Sequence, residues 1–99
     1  MYLVTTKIVL NQKTIEEAQK ILTSWEKHSE FAVMKNGLVE DGTVLFESED
    51  LDEDGNFVLE SLWKNEESFN EFLENELTKE FKEWFDENEI EVLRTLESV

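Results

Sequence analysis

The densest run of potential ligands is Asp50-Leu-Asp52-Glu-Asp54-Gly55-Asn56. Alternating carboxylates followed by Gly match the first half of an EF-hand calcium loop. Calcium needs about six or more oxygens, and the bidentate Glu that closes the loop is central to that shell. The closing position is Ser61, with Glu60 one place early. Both flanks read as strands rather than helices. The run is therefore expected to be an acidic hairpin loop, with calcium binding as a minor alternative, and no metal site is predicted. His28 is the only histidine and there is no Cys. A zinc or non-haem iron site would have to be mostly carboxylate, which suits those metals poorly. His28 near a helix C-terminus is expected to act as a surface charge or partial cap. Glu67, Glu71, Glu74 and Glu76 could be taken for paired catalytic carboxylates, but their spacing predicts a solvated helix face. No G-x-S-x-G, P-loop or G-x-G-x-x-G occurs. Phe69, Phe72, Phe81, Trp84 and Phe85 exceed what an aliphatic core requires. They read either as packing between helix and sheet or as the lining of a cavity for a flat hydrophobic ligand.

Those side chains need elements to hold them. Tyr2–Leu10 is rich in Val, Ile and Thr and reads as a strand with two largely apolar faces. Tyr2, Val4, Thr6, Ile8 and Leu10 share one face, and Leu3, Thr5, Lys7 and Val9 the other. Thr14 and Glu17 fit a capping box, and Ile15, Ala18, Ile21, Leu22 and Trp25 follow at helical spacing, predicting a helix over 14–29 that ends on Lys27 and His28. Residues 31–41 are ambiguous: Asn36-Gly37 is a turn signal, and Phe31–Met34 fits a short strand or a packed connection. Residues 43–49 and 56–63 read as strands around the acidic loop. A second helical region begins near Asn65 or Ser68, with a break near Asn75–Thr78 at which Thr78 could cap a further helix. Ile90–Leu96 reads as a last strand, with Ile90, Val92, Arg94 and Leu96 opposite Glu91, Leu93 and Thr95.

The order strand, helix, strand, strand, helix, strand predicts helices on one face of an antiparallel sheet. The other face would carry Leu3, Val9, Val58, Leu62 and Leu93. Two copies packing sheet to sheet would cover it, so a homodimer is expected.

Composition narrows the partners. The chain has 99 residues, one domain's worth, with 39% hydrophobic residues and no Pro. Its net charge is -16, and nine basic residues face 25 acidic ones. Nucleic acids and anionic membranes are therefore not expected partners. The charge is uneven: residues 1–39 carry a net +1 and residues 40–99 a net -17. A solvated acidic surface explains this, and a docking face for a basic partner is the sharper reading. No apolar run approaches the ~20 residues of a membrane span. The first residues lack a basic n-region and a cleavage site, so a cytoplasmic location is expected.

The stretch GTVLFESEDLDEDGNFVLESLWKNEESFNEFL, Gly42 to Leu73, resembles the antibiotic-biosynthesis-monooxygenase superfamily. It is similar above all to the branch holding haem-degrading monooxygenases of Gram-positive bacteria. The carriers are a hairpin, an apolar strand ending in Trp63-Lys64, and a helix opening as Asn-Glu-Glu-Ser-Phe. The N-terminal strand and capped helix also match. The resemblance implies a ferredoxin-like subunit of a dimeric α/β barrel, in a superfamily that includes cofactor-independent monooxygenases. The Asn, Trp and His of the haem degraders fall on Lys7, Phe72 and Lys82, and all three differ. Lysine is neither an imidazole ligand nor an amide, so no haem or other cofactor is predicted.

The expectation is thus one α+β, ferredoxin-like (βαββαβ) domain over residues 1–99, forming a homodimeric α/β barrel. It would bind a small apolar or aromatic molecule between helices and sheet, positioned by Lys7, Trp63, Phe69 and Phe72. Lys7 would stabilise an enolate-like anion, and any oxygenation would draw on the substrate's own reactivity. The alternative is a non-catalytic dimeric interaction or regulatory domain with an acidic docking surface.

Overall fold

A computed structural model describes residues 1–99. Four strands form one antiparallel sheet in the order β2-β3-β1-β4. They are β1 (Tyr2–Ile8), β2 (Val44–Leu51), β3 (Phe57–Trp63) and β4 (Val92–Ser98). Four helices cover one face: α1 (Ile15–Leu22), α2 (His28–Glu40), α3 (Glu66–Glu74) and α4 (Glu76–Glu87). The expected α+β, ferredoxin-like order holds, with α2 as an added helix after α1 and the second helical region split at Asn75.

β1 lies between β3 and β4 and organises both layers. Tyr2, Val4, Thr6 and Ile8 are buried under the helices, while Leu3, Thr5 and Lys7 alternate to the other side. Tyr2, Val4, Val44, Trp63 and Phe69 form one core cluster with Leu38, Phe72 and Leu73 around it. Ile8, Leu10, Ala18, Phe57 and Phe85 form a second at the far end of the sheet.

Side-chain caps set the helix starts as the sequence suggests. The Thr14 hydroxyl accepts from the Glu17 N–H at 3.2 Å. Asn65 opens α3, accepting from Ser68 N–H at 2.8 Å. Asn75, not Thr78, makes the break between α3 and α4, accepting from Leu77 N–H at 2.9 Å. Thr78 is buried instead.

The structure corrects the reading of residues 14–41. The first helix ends at Leu22, a turn carries the buried Trp25, and a new helix runs from His28 to Glu40. His28 therefore begins a helix rather than ending one. Asn36-Gly37 is no turn: Phe31, Met34, Lys35 and Leu38 recur at helical spacing and form the half-buried side of α2. No residue of α2 is fully buried, so the packing signal was weak. No helix is long and apolar enough to cross a membrane.

Two glycines separate the roles of backbone and space. Gly55 sits at φ +80, and a Cβ there would strike the backbone of Gln12, whose N–H donates to Gly55 O at 2.9 Å. Gly37 lies in α2 with nothing near its missing Cβ. Gly37→Ala should stabilise the chain by about 0.5–1 kcal/mol through helix propensity. Gly55→Ala should destabilise it by more than that. Urea unfolding of the two variants tests the opposite signs.

Candidate ligand compartment

The candidate site begins with an irregularity in β2. Val44 pairs with Trp63, but Phe46 pairs with Leu62, the very next residue of β3. Leu45 is thus an extra residue, a β-bulge. Beyond it the parity of β2 is reversed. Phe46, Ser48 and Asp50 turn to the open face, and Glu47, Glu49 and Leu51 turn toward the helices.

The bulge places a carboxylate inside. Glu47 lies opposite the buried Ser61, whose Oγ accepts from the Trp63 indole N–H at 3.0 Å. From α2 the Lys35 ammonium forms an ion pair with Glu47, and the lysine side chain is only 13% exposed. Its Nζ also stands 5.6 Å from the centre of the Phe72 ring. Trp63 and Phe72 rings are 5.1 Å apart, and Trp63 and Phe69 5.3 Å. Phe31 of α2 extends this cluster, 6.0 Å from Phe72 and 4.8 Å from Phe81. Trp25 stacks on Phe81 at 4.3 Å. Aromatic rings thus run unbroken from Tyr2 to Trp84 beneath the helices.

Three of the four residues expected at a ligand site meet here: Trp63, Phe69 and Phe72. Lys7 does not. Strand alternation sends it to the opposite face of the sheet, where it pairs with Asp52 at 3.4 Å. The basic group beside the rings is Lys35. Neither it nor Glu47 stood out in the sequence, because α2 was unreadable and the bulge concealed which face Glu47 takes. Lys82, a position matching the haem degraders' His, is exposed and pairs with Asp86. His28 Nδ1 lies 3.1 Å from the Trp25 carbonyl, a local contact at the start of α2.

The acidic loop is organised by one carboxylate. Asp52 Oδ1 accepts from the N–H groups of Asp54 and Asn56, both at 2.9 Å, and Oδ2 faces Lys7. The acidic side chains of this run do not converge as a metal-binding group.

No family model matches the sequence, and no curated protein matches it closely. The fold has a solved relative. A Deinococcus radiodurans protein, provisionally assigned as an antibiotic biosynthesis monooxygenase, superposes with a TM-score of 0.67. The match covers 100% of this chain and 92% of that one at 11% identity. The fold is shared. The likeness to that structure is one of fold, over the whole of this chain.

The hydrogen bond from Asn56 N–H, with those of Asp54 N–H and Lys7, holds the Asp52 carboxyl below its usual range against some desolvation. A depressed carboxyl contributes stability above the unfolded value of about 4 and loses it as pH falls through the folded one. Asp52→Asn should flatten the acid side of the stability profile. Thermal unfolding between about pH 2 and pH 6 checks this.

Proposed function

We propose that this chain functions as a dimeric barrel of the antibiotic-biosynthesis-monooxygenase type, holding a small flat apolar or aromatic molecule between α2, α3 and the sheet. The observation that carries the reading is the half-buried Lys35–Glu47 pair set among Phe72, Trp63 and Phe31. A buried ion pair is seldom the most stable filling for such a space, since apolar side chains of similar volume do as well or better. An ion pair kept beside aromatic rings fits polar recognition of a ligand. Aromatic rings offer stacking area, and the ion pair offers polar recognition. The electrostatic role expected of Lys7 passes to Lys35. Oxygenase chemistry is what the resemblance implies for a ligand whose anion is itself reactive.

The dimer is supported by the open face of the sheet. Register defines three rows across it: Phe46–Leu62–Leu3–Glu97, Ser48–Glu60–Thr5–Thr95 and Asp50–Val58–Lys7–Leu93. Phe46 is 55% exposed and Leu93 49%. Apolar groups at opposite corners flanking a polar middle suit a second sheet laid across the first. Glu60, unpaired in the middle row, would meet like charge in such a pairing.

A second reading draws on the outer face of α3. Glu66, Glu67, Glu71 and Glu74 form an open acidic patch with Asn70 and Asn75, which fits docking of a basic partner. That reading expects association with polylysine that weakens steeply with salt.

Two experiments test the principal reading. 2-Naphthol should quench tryptophan emission saturably, and Phe72→Ala should weaken its binding roughly tenfold. Lys7→Met should leave binding unchanged. Absence of saturable quenching would remove the ligand reading. Sedimentation should give a dimer that Phe46→Asp converts to monomer and Glu60→Gln tightens. A monomeric wild type would remove the barrel.

A further inference from the structure

The rings beneath α2 are packed against one another. A ligand reaches them only when something above them moves. We propose that α2 is a gate. The segment between Trp25 and Val44 detaches and unfolds while the rest of the domain stays intact, and this opening bares the aromatic cluster. The purpose of the gate rests on the ligand reading above; the opening itself rests on how α2 is held.

Three of the four helices are anchored by a fully buried side chain. α1 buries Ala18, α3 buries Phe69, and α4 buries Thr78 and Phe85, whereas α2 buries none. Its inward side, Phe31, Met34, Lys35 and Leu38, is only half-buried. α2 also lacks the local supports of a helix. Its N-cap, Lys27, makes no side-chain hydrogen bond. Its last turn holds Glu40 and no basic residue, so the negative end of the helix dipole meets a carboxylate. Gly37 lowers the helix propensity of its middle. A helix of 13 residues with these defects is marginal once its packing is lost. Detachment and unfolding are therefore one event.

The ties that hold α2 are of a kind that release readily. Two are ion pairs, from Lys27 to Glu80 of α4 at 2.8 Å and from Lys35 to Glu47 of β2. Separated charges regain water, which offsets much of the attraction lost. An apolar contact has no such return. Phe31 and Leu38 supply the apolar remainder, Phe31 against Phe72 and Phe81, Leu38 against the cluster that holds Trp63. The ends of the segment, by contrast, are fixed. Trp25 is 4% exposed and stacks on Phe81 at 4.3 Å, and Val44 is 1% exposed and pairs with Trp63. Gly42, at φ +81 with nothing near its missing Cβ, lies between the helix and β2. Opening therefore uncovers Phe72, Phe81 and Glu47 and leaves the sheet and the other three helices in place.

Hydrogen exchange of the full chain, followed by NMR in urea below the unfolding transition, tests the gate. The amides of Met34 to Leu38 should be protected at least roughly tenfold less than those of Val4 and Thr6 in β1, and with a weaker urea dependence. Gly37→Ala should raise protection in α2 about two- to fivefold, because the open segment is unfolded. Ile8→Val weakens a core cluster that the opening leaves intact. It should lower protection at Val4 and Thr6 several-fold and leave α2 unchanged. If the α2 amides match β1 in protection and urea dependence, or fall with β1 in Ile8→Val, α2 leaves only with the whole fold and the gate is overturned. Protection in α2 that ignores Gly37→Ala overturns it as well. Independent exchange of α2 without saturable quenching by 2-naphthol supports the opening and removes the ligand reading. Saturable quenching with α2 exchanging only with the whole fold removes the gate alone.

Discussion

One additional residue in β2, Leu45, decides which side chains of that strand meet the helices and which meet solvent. Strand side chains alternate with a period of two, so one inserted residue exchanges the faces of everything after it. Without the bulge, Phe46 would continue the face of Val44 into the core, and Glu47 would be outside. With it, Glu47 turns toward the helices opposite Ser61, and Phe46 is left on the open sheet. The ion pair under the helices and the apolar corner of the exposed sheet therefore have one common cause.

The two faces of β1 divide the molecule's physical roles. Under the helices, Tyr2, Val4 and Ile8 anchor two core clusters bridged by aromatic rings. On the other side, Leu3 and Lys7 belong to a mixed surface with one lysine among several acids. The first face is closed by covalently connected helices. The second can be closed only by another surface. In the helix layer, α2 is the least embedded element, held by Phe31, Leu38 and the Lys35–Glu47 pair. Elements with few buried side chains open more readily than the core, and α2 lies directly over the rings.

Much of the fold was legible because its signals are local. Thr14 and Asn65 mark helix starts, the alternation of Tyr2 to Ile8 separates two strand faces, and the aromatic spacing from Phe69 to Phe85 marks the packed side of α3 and α4. The aromatic cluster followed from the same spacing: Trp63, Phe69 and Phe72 do pack together. The polar part of the site did not follow. The alternation of β1 already puts Lys7 on the face of Leu3 and Thr5, away from those rings. Glu47 was hidden by a bulge that leaves no mark in VLFESEDL, and Lys35 by a helix whose outward face carries Val33 and Val39 and so lacks a clear polar side. Asn36-Gly37 carries a strong turn preference, yet packing of Phe31, Met34 and Leu38 keeps the chain helical through it. Tertiary contact outweighs local preference there.

The central claim is the proposal that the aromatic cluster beneath α2, in which Trp63 is buried, opens to receive an aromatic ligand. The most direct measurement is a nitrogen-15 NMR spectrum of the three tryptophan indole N–H groups during addition of 4-nitrophenol. Trp63 donates to Ser61 beside Glu47, whereas Trp84 lies at the far end of the aromatic run. The account predicts a saturable shift of the Trp63 resonance with the Trp84 resonance unmoved. An unshifted Trp63 at concentrations where other signals saturate would contradict it.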